Sequence, residues 1–243
     1  MPMRVLILGG TTEASAIARG LAGDTRFEVV LSFAGRTIAP VPPPVPYRVG
    51  GFGGATGLTA YIAAHGVDVL VDATHPFAAQ MRAHAATVAI PRIVVLRPAW
   101  LREPGDDWRD VASMAAAAAA LGTQPRRVFL TVGQQELAPF GPPHRYLIRS
   151  VDPLLAVPPG AVAFTARGPF DVAGERALLA DHDIQILVTK NSGGSATAAK
   201  LVAARALGVA VVMVARPPLP AGDIVPDAAG ALAWLHQIRL RGV

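Results

Sequence analysis

The sequence predicts an α/β protein in which mainly parallel β-sheets carry helices on both faces. Short runs rich in Val, Ile and Leu alternate with alanine-rich stretches, an order typical of β-α-β units. The alternation restarts near residues 105–125, which divides the 243 residues into two similar halves. We therefore expect two α/β domains, 1–110 and 111–243, with the ligand cleft between them.

The expected elements follow the chain in a regular order. In the first half we expect strands at 4–8, 27–32, 47–49, 67–72 and 92–96, with helices at 12–21, 58–65 and 76–88. In the second half we expect strands at 127–131, 145–148, 162–166, 184–188 and 209–215, with helices at 111–121, 134–137, 174–181, 195–207 and 228–239.

Composition excludes several classes of protein. There is no cysteine, which rules out disulfides, thiolate catalysis and iron–sulfur clusters. The six histidines are scattered without metal-ligand spacing, so no metal is expected. The chain shows no signal-peptide layout and no apolar run of the length of a membrane span, and a cytoplasmic protein is expected. A net charge of +5 with few aromatic residues favours a small polyanionic ligand over nucleic acid.

Two turns of the first half have the position of a dinucleotide site. Gly9, Gly10 and Thr11 follow the first strand and open the first helix, where a phosphate-binding turn lies, although the third glycine of G-x-G-x-x-G is missing. A plain left-handed connection is the alternative. The turn after the second strand, where an acid favours NAD, instead has Ser32, Arg36 and Thr37, which favours NADP. An exposed turn arginine is the alternative there.

A third candidate turn follows the strand at 67–72. Asp72, Thr74 and His75 would lie at the carboxyl edge of the sheet, and His75 could bind by hydrogen bonds or transfer a proton near neutral pH. A structural histidine and a helix-capping Asp72 are the alternatives.

Polar residues also follow the strands of the second half. Only two of the 22 basic residues are lysines, Lys190 and Lys200, and both lie in one loop–helix element. The glycine-containing turn in this element, Lys190 to Gly193, would present backbone N–H groups to an anion. Arg149 could bind a carboxylate through both arms of its guanidinium, or form a surface ion pair. Thr131 and Gly133 complete the set of strand-end residues.

Taken together, these segments resemble the precorrin-6A reductase family of cobalamin biosynthesis. The matching segments occur in the family's order over most of the chain. They are Gly9–Ala14, Ser32–Thr37, Asp72–Ala78, Thr131–Gly133, Gly168–Phe170, Val188–Gly193 with Lys200, and Arg216–Pro217. The match around Arg149 is the weakest, because the family usually shows Leu-Pro near an arginine and this chain has Arg149-Ser-Val-Asp-Pro153.

The resemblance implies two Rossmann-like domains and NADPH-dependent reduction of the C18=C19 bond of precorrin-6A to precorrin-6B. It places the pyrophosphate on Gly9, Gly10 and Thr11 and the 2′-phosphate on Ser32, Arg36 and Thr37. The remaining expected roles are cofactor contacts by Asp72, Thr74, Asn191, Ser192 and Gly193, substrate contacts by Thr131, Gly133, Arg149 and Lys200, and proton delivery by His75, Lys190 or water. A reductase of another small anion, or a non-catalytic module that binds nucleotide or tetrapyrrole, remain alternatives. A monomer is one of the oligomeric states that the sequence allows.

Overall fold

The computed structural model describes residues 1–35 and 42–242. Arg36 and Thr37, expected at the 2′-phosphate, lie outside the described residues. The strands are β1 (Met3–Leu8), β2 (Phe27–Phe33), β3 (Tyr47–Val49), β4 (Val69–Asp72), β5 (Arg92–Val95), β6 (Trp108–Val111), β7 (Arg127–Leu130), β8 (Arg145–Ser150), β9 (Val162–Thr165), β10 (Ile186–Lys190), β11 (Ala210–Val214) and β12 (Asp223–Val225).

Seven α-helices and one short 3-10 helix connect these strands in the described part of the chain. The α-helices are α1 (Thr12–Leu21), α2 (Gly54–His65), α3 (Ala79–Ala85), α4 (Met114–Ala120), α5 (Val172–Asp181), α6 (Ala199–Leu207) and α7 (Ala228–Leu240). The 3-10 helix spans Gln134–Glu136. No described helix combines the length and the apolar character needed to cross a membrane.

The chain divides into two compact units. Unit 1 contains residues 1–97 and 218–243, and unit 2 contains residues 98–217. This division differs from the expected boundary at 110, because two short strands were not predicted. β12 pairs in parallel with β5 and brings the C-terminal segment into the sheet of unit 1, whereas β6 pairs with β11 in unit 2.

Unit 1 is a six-stranded parallel sheet in the order β12-β5-β4-β1-β2-β3. Alternate residues of β1 face opposite sides of the sheet. Val5 and Ile7 pack in the core that contains Ile17 of α1, and Leu6 packs in the core that contains Leu58 of α2. Strand order reverses between β1 and β4, so the carboxyl ends of these two strands flank the place where such folds bind nucleotides.

Unit 2 has the corresponding order, β6-β11-β10-β7-β8-β9, and is again parallel throughout. Its core includes Phe129, Leu147, Leu187 and Met213, one from each of the four central strands. The two parallel sheets confirm the predicted fold class. The prediction of a single helix over 111–121 was wrong at its start, since β6 occupies 108–111 and Ser113 caps α4 by accepting a hydrogen bond from the N–H of Ala116.

Candidate functional site

The turn between β1 and α1 has the backbone form that a close ligand requires. Gly9 donates its N–H to the carbonyl of Ser32 at 2.9 Å, and a Cβ on Gly9 would lie 2.6 Å from the Leu31 side chain. Gly10 has φ +108°, and a Cβ on it would meet no atom within 4 Å. The space above Gly10 is therefore open, and only glycine adopts this backbone without strain.

Thr11 joins this turn to the loop that follows β4. Its hydroxyl accepts a hydrogen bond from the N–H of Ala14 at 3.2 Å, which makes Thr11 the N-cap of α1. The same hydroxyl donates to the carbonyl of Ala73 at 2.8 Å. Together with the bond from Gly9 to Ser32, this contact brings the three predicted turns of unit 1 together at one edge of the sheet.

Ser32 ends the buried part of β2 and contacts an arginine that sequence reasoning did not select. Ser32 is 4% exposed, and its Oγ accepts a hydrogen bond from Nη1 of Arg48 at 2.7 Å. Arg48 lies on β3, directly across from Ser32 in the parallel register. No sequence signal links the two residues, because the pairing of β2 with β3 is a tertiary feature.

The loop after β4 is stabilised by a buried ion pair. Asp72 is fully buried, and its Oδ2 accepts from Nε of Arg82 at 3.3 Å. Its Oδ1 accepts from the hydroxyl of Thr74 at 2.7 Å. Arg82 also donates to the carbonyl of Thr74 at 3.3 Å. The carboxylate of Asp72 is thus used to hold the backbone that leads to His75.

His75 is half-buried, and its Nδ1 accepts a hydrogen bond from the N–H of Phe77 at 3.2 Å. A ring nitrogen that accepts carries no proton, so a neutral His75 carries its proton on Nε2. The loop therefore fixes the orientation of the imidazole and favours the neutral tautomer with its proton on Nε2.

An acidic residue in the first turn of α1 is balanced by a nearby arginine. Glu13 Oε2 lies 3.0 Å from Nη1 of Arg97. Burial raises the pKa of the Glu13 carboxyl, but a hydrogen bond to its own backbone N–H, the charge of Arg97 and hydrogen bonds from Arg97 and Thr12 outweigh it, so the pKa lies below its ordinary value. Glu13 is therefore ionised at neutral pH, and Arg97 offsets its charge beside the glycine turn.

In unit 2, the turns after β7 and β10 contact each other through one carboxylate. Oε2 of Glu136 accepts from the N–H of Gly133 at 2.7 Å, and its Oε1 accepts from Nζ of Lys190 at 2.6 Å. The hydroxyl of Thr131 donates to the carbonyl of Val188 at 3.4 Å. Thr131, Gly133 and Lys190 thus lie together as predicted. The spacing from Gly133 to Glu136 is that of the Glu half of a capping box, in which the carboxylate accepts from the N-cap N–H, and it could have predicted this contact.

Asn191 is used to hold the segment at Trp100. Its amide donates to the carbonyl of Trp100 at 3.0 Å and accepts from the N–H of Trp100 at 2.8 Å. Trp100 also donates its indole N–H to the carbonyl of Gly194 at 2.8 Å. The Asn191 side chain therefore pairs with a backbone segment of unit 2 in the way that a neighbouring strand would.

Ser192 and Gly193 are fixed by Arg216 and Pro98. Arg216 donates to the carbonyls of Asn191 at 2.8 Å and Ser192 at 3.1 Å. A Cβ on Gly193, where φ is +68°, would lie 2.0 Å from the carbonyl oxygen of Pro98. The glycine is required there by close backbone packing as well as by its φ value.

The remaining two candidate cations of unit 2 are both buried. Arg149 binds both carboxylate oxygens of Glu175, with Nη2 to Oε2 at 3.2 Å, and its guanidinium lies 3.8 Å from the centre of the Phe170 ring. Lys200 is 4% exposed, and its Nζ lies 5.1 Å from the centre of the Trp100 ring. Arg149 does bind a carboxylate through both arms, but this carboxylate belongs to the protein.

Among residues 1–35 and 42–242, no group of three or more His, Cys, Asp or Glu side chains could hold a metal ion. The polar groups described above at the carboxyl edge of unit 1 instead include backbone N–H groups, two hydroxyls, the His75 imidazole and the Arg48 guanidinium. Such groups can bind and orient an anionic organic cofactor and can exchange protons. A protein that uses a hydride-transferring cofactor has to supply both.

Comparison with known proteins identifies the family. The family model described as "Precorrin-6x reductase CbiJ/CobK" matches residues 4–236. A precorrin-6A reductase of Rhodococcus erythropolis is 50% identical over 98% of this chain and 99% of its own length, and one of Rhodobacter capsulatus is 49% identical over 99% of each chain. A solved structure described as CobK precorrin-6A reductase is 48% identical, covers 97% of this chain and 96% of its own, and superposes with a TM-score of 0.90. The chain therefore belongs to the precorrin-6x reductase family, CbiJ/CobK.

Proposed function

We propose that this protein reduces one carbon–carbon double bond of precorrin-6A with NADPH, as a step of cobalamin biosynthesis. The family and the names of its close relatives support the reaction and the substrate. The structural observation that carries the cofactor assignment is Gly10, an open position with φ +108° at the start of the ten-residue helix α1. Unpaired N–H groups and the positive end of the helix dipole at such a turn favour a pyrophosphate.

The proposed cofactor contacts follow from the edge of unit 1. Gly10 would bind the pyrophosphate through its N–H, and Gly9 would shape the turn because its own N–H donates to the carbonyl of Ser32. Thr11 would bind the pyrophosphate through its N–H, because its hydroxyl caps α1 and contacts Ala73. Ser32, together with Arg36 and Thr37, would contact the 2′-phosphate. Asp72 and Thr74 would act on the cofactor indirectly, by shaping the loop that carries His75.

When bound, NADPH supplies a hydride to one carbon of the double bond, and a proton must reach the other carbon, so that the product gains two hydrogens. His75 is one candidate donor: its Nε2 would give up the proton and regain one from water, while its Nδ1 keeps the hydrogen bond from the N–H of Phe77. Lys190 is the alternative donor, with Glu136 holding its ammonium group in place.

Substrate binding is assigned to unit 2 and to the basic character of the chain. A net charge of +5 suits a macrocycle that bears several carboxylates. We assign direct substrate contacts to Lys190 and to the turn from Thr131 to Gly133. Arg149 and Lys200 would support the fold around these contacts, because Glu175 and the Trp100 ring already engage their charged groups. Asn191, Ser192 and Gly193 would support the loop that carries Lys190 in the same way.

The test is an anaerobic assay with purified protein, NADPH and precorrin-6A. We expect loss of the nicotinamide absorbance together with a two-hydrogen mass gain in the tetrapyrrole, and a much weaker reaction with NADH. Binding of NADPH without reduction of precorrin-6A or its cobalt complex would identify a non-catalytic binding module. Reduction of a simple anionic enoate in preference to precorrin-6A would identify a reductase of a different substrate class.

Two further assignments belong to this proposal. The natural substrate is taken to be metal-free, since relatives at about half identity are named precorrin-6A reductase. Parallel assays with precorrin-6A and its cobalt complex test this choice, and faster turnover of the cobalt complex would reverse it. Localisation in the cytoplasm remains a prediction, which fractionation of the native cells would test.

A further inference from the structure

Arg48 has a position and a set of contacts that the proposed function does not yet use. It lies on β3, and one guanidinium nitrogen donates both to Oγ of Ser32 at 2.7 Å and to the carbonyl of Gly50 at 2.9 Å. The other terminal nitrogen donates to the carbonyl of Gly51 at 3.0 Å. The guanidinium is thus fixed at the carboxyl end of β2.

Aromatic rings restrict the guanidinium further. Its central carbon lies 4.0 Å from the centre of the Phe52 ring and 5.2 Å from that of Tyr61. These two rings pack edge to face at 5.1 Å. A guanidinium stacked on a ring and bound to two carbonyls has few alternative positions, so Arg48 is rigid for such a long side chain.

The charge of Arg48 is not neutralised by a carboxylate within the described part of the chain. None of the ion pairs found among residues 1–35 and 42–242 includes Arg48. All three of its hydrogen bonds go to neutral oxygens. A fixed and uncompensated positive charge at this edge attracts an anion.

Arg48 also determines what Ser32 can bind. Because Oγ of Ser32 accepts a hydrogen bond from Arg48, the hydroxyl proton must point to a different acceptor. No described residue receives this proton, and Ser32 as a whole is 4% exposed. Ser32 is therefore held as a buried donor, polarised by the positive charge behind it, and its best partner is an anionic oxygen.

We propose that Arg48 is the positioning residue that gives this site its preference for the 2′-phosphate of NADPH, acting through Ser32. The carboxyl end of the second strand is where a dinucleotide fold meets the adenosine ribose. This inference rests on the proposed use of NADPH and deepens it. It adds a residue sixteen positions beyond Ser32 to the expected set of Ser32, Arg36 and Thr37.

The test compares two small probes, adenosine 2′,5′-bisphosphate and AMP, by isothermal titration calorimetry. The wild-type protein should bind the bisphosphate more tightly. In Arg48→Gln this preference should fall about tenfold, the scale of one charge-assisted hydrogen bond. Arg48→Lys should keep part of it, since it keeps the charge and loses the planar fork. Ser32→Ala should also lower the preference for the bisphosphate. If Arg48 acts through Ser32, the double variant should lose less of this preference than the two single variants lose in sum.

Arg26→Gln is the matched control. Arg26 directly precedes β2, at the opposite end of the strand from Ser32, and it forms an ion pair with Asp24 at the surface. The control loses the same charge and should keep the preference. If Arg48 only supported the fold, its variants would weaken both probes equally and leave the ratio unchanged, and this result would overturn the inference.

The experiment distinguishes failure of the NADPH assignment from failure of the role proposed for Arg48. If the wild-type protein binds both probes equally, the assignment of NADPH fails. If the wild-type protein prefers the bisphosphate while Arg48→Gln, Arg48→Lys and Ser32→Ala all retain that preference, only the role of Arg48 fails. Circular dichroism checks that each variant is folded, and Ser32→Ala and Arg48→Lys keep the question testable if Arg48→Gln does not fold.

Discussion

Units 1 and 2 have corresponding strand orders but differ in the turn after the first central strand. After β1, Gly10 with φ +108° leads into the ten-residue helix α1. After β7, Gly133 has φ −87° and leads into a 3-10 helix of three residues. A short 3-10 helix offers little aligned dipole, so the turn of unit 1 suits the proposed pyrophosphate better than the turn after β7 does.

The polar groups at the carboxyl edge of unit 2 are also occupied from within the protein. Glu136 binds Lys190, and Asn191 binds the backbone of Trp100. At the edge of unit 1 the space above Gly10 remains open. The reversal of strand order marks a possible site in both units, and the chemistry of the turn determines which kind of ligand each edge suits.

The largest expected effect concerns two buried ion pairs among the described residues, Asp72 with Arg82 in unit 1 and Glu175 with Arg149 in unit 2. Replacing Glu175 by Ala would leave Arg149 buried and unpaired, at a cost of about 3–5 kcal/mol in the free energy of unfolding. The double variant Arg149→Met with Glu175→Leu should recover most of this loss, because apolar side chains of similar volume replace the pair. Urea unfolding measures both. Equal stability of the Glu175→Ala variant and wild type would show that the pair is solvated in solution.

The next prediction compares substitutions in the turn after β1 of unit 1 and in the turn after β7 of unit 2. Gly10→Ala should weaken NADPH binding about tenfold or more, because a side chain at positive φ costs on the order of 1–3 kcal/mol and enters the space of the ligand. Gly133→Ala should change it by less than about twofold, since a φ of −87° suits any residue and the added Cβ makes an ordinary contact with Glu136. Fluorescence titration with NADPH compares the two. A similar loss in both variants would contradict the assignment of the cofactor to unit 1.

Sequence alone predicted much of this fold, because continuous Val, Ile and Leu runs identify buried parallel strands. It did not predict β12 (Asp223–Val225), which has three residues, one of them charged, and two of them exposed. Pairing with β5 makes this segment a strand. Local composition cannot reveal such an edge strand, since its stability comes from the neighbouring strand.

The candidate site was predictable where it depends on short-range geometry. The turn from Gly9 to Thr11 was found because its glycines and cap are adjacent in the chain. Arg48 was missed because only the parallel register of β2 and β3 brings it to Ser32. Arg82 was missed because a buried arginine is unexpected, and ten residues separate it from Asp72.

A smaller effect compares two helix caps, one from each unit. Thr11→Ala removes the cap of α1 and the bond to Ala73, whereas Ser113→Ala removes only the cap of α4. Each cap is worth about 0.5–2 kcal/mol, and the bond to Ala73 should add about 1 kcal/mol to the loss in Thr11→Ala. Thr11→Ser keeps both bonds and should remain close to wild type. Thermal unfolding ranks the three variants, and an equal loss in Thr11→Ala and Ser113→Ala would show that the link between the turns adds nothing.

The smallest effect is the pH dependence of Glu13, which sharpens the electrostatic part of the comparison. The pKa of Glu13 lies below its ordinary value of 4.5 in the folded protein, so folding favours the ionised carboxylate. The resulting stability is fully present above about pH 4.5 and is lost as the pH falls through the lower, folded-state pKa. Glu13→Gln should therefore lower the free energy of unfolding at pH 7 by about 0.2–1 kcal/mol, the scale of a partly exposed pair, and should lower the melting temperature slightly. This difference from wild type should shrink at acid pH. Melting curves of both proteins between neutral pH and about pH 3.5 measure the difference. A constant gap over that range would mean that Arg97 does not favour the ionised form, and that Glu13 affects the first turn of α1 by packing alone.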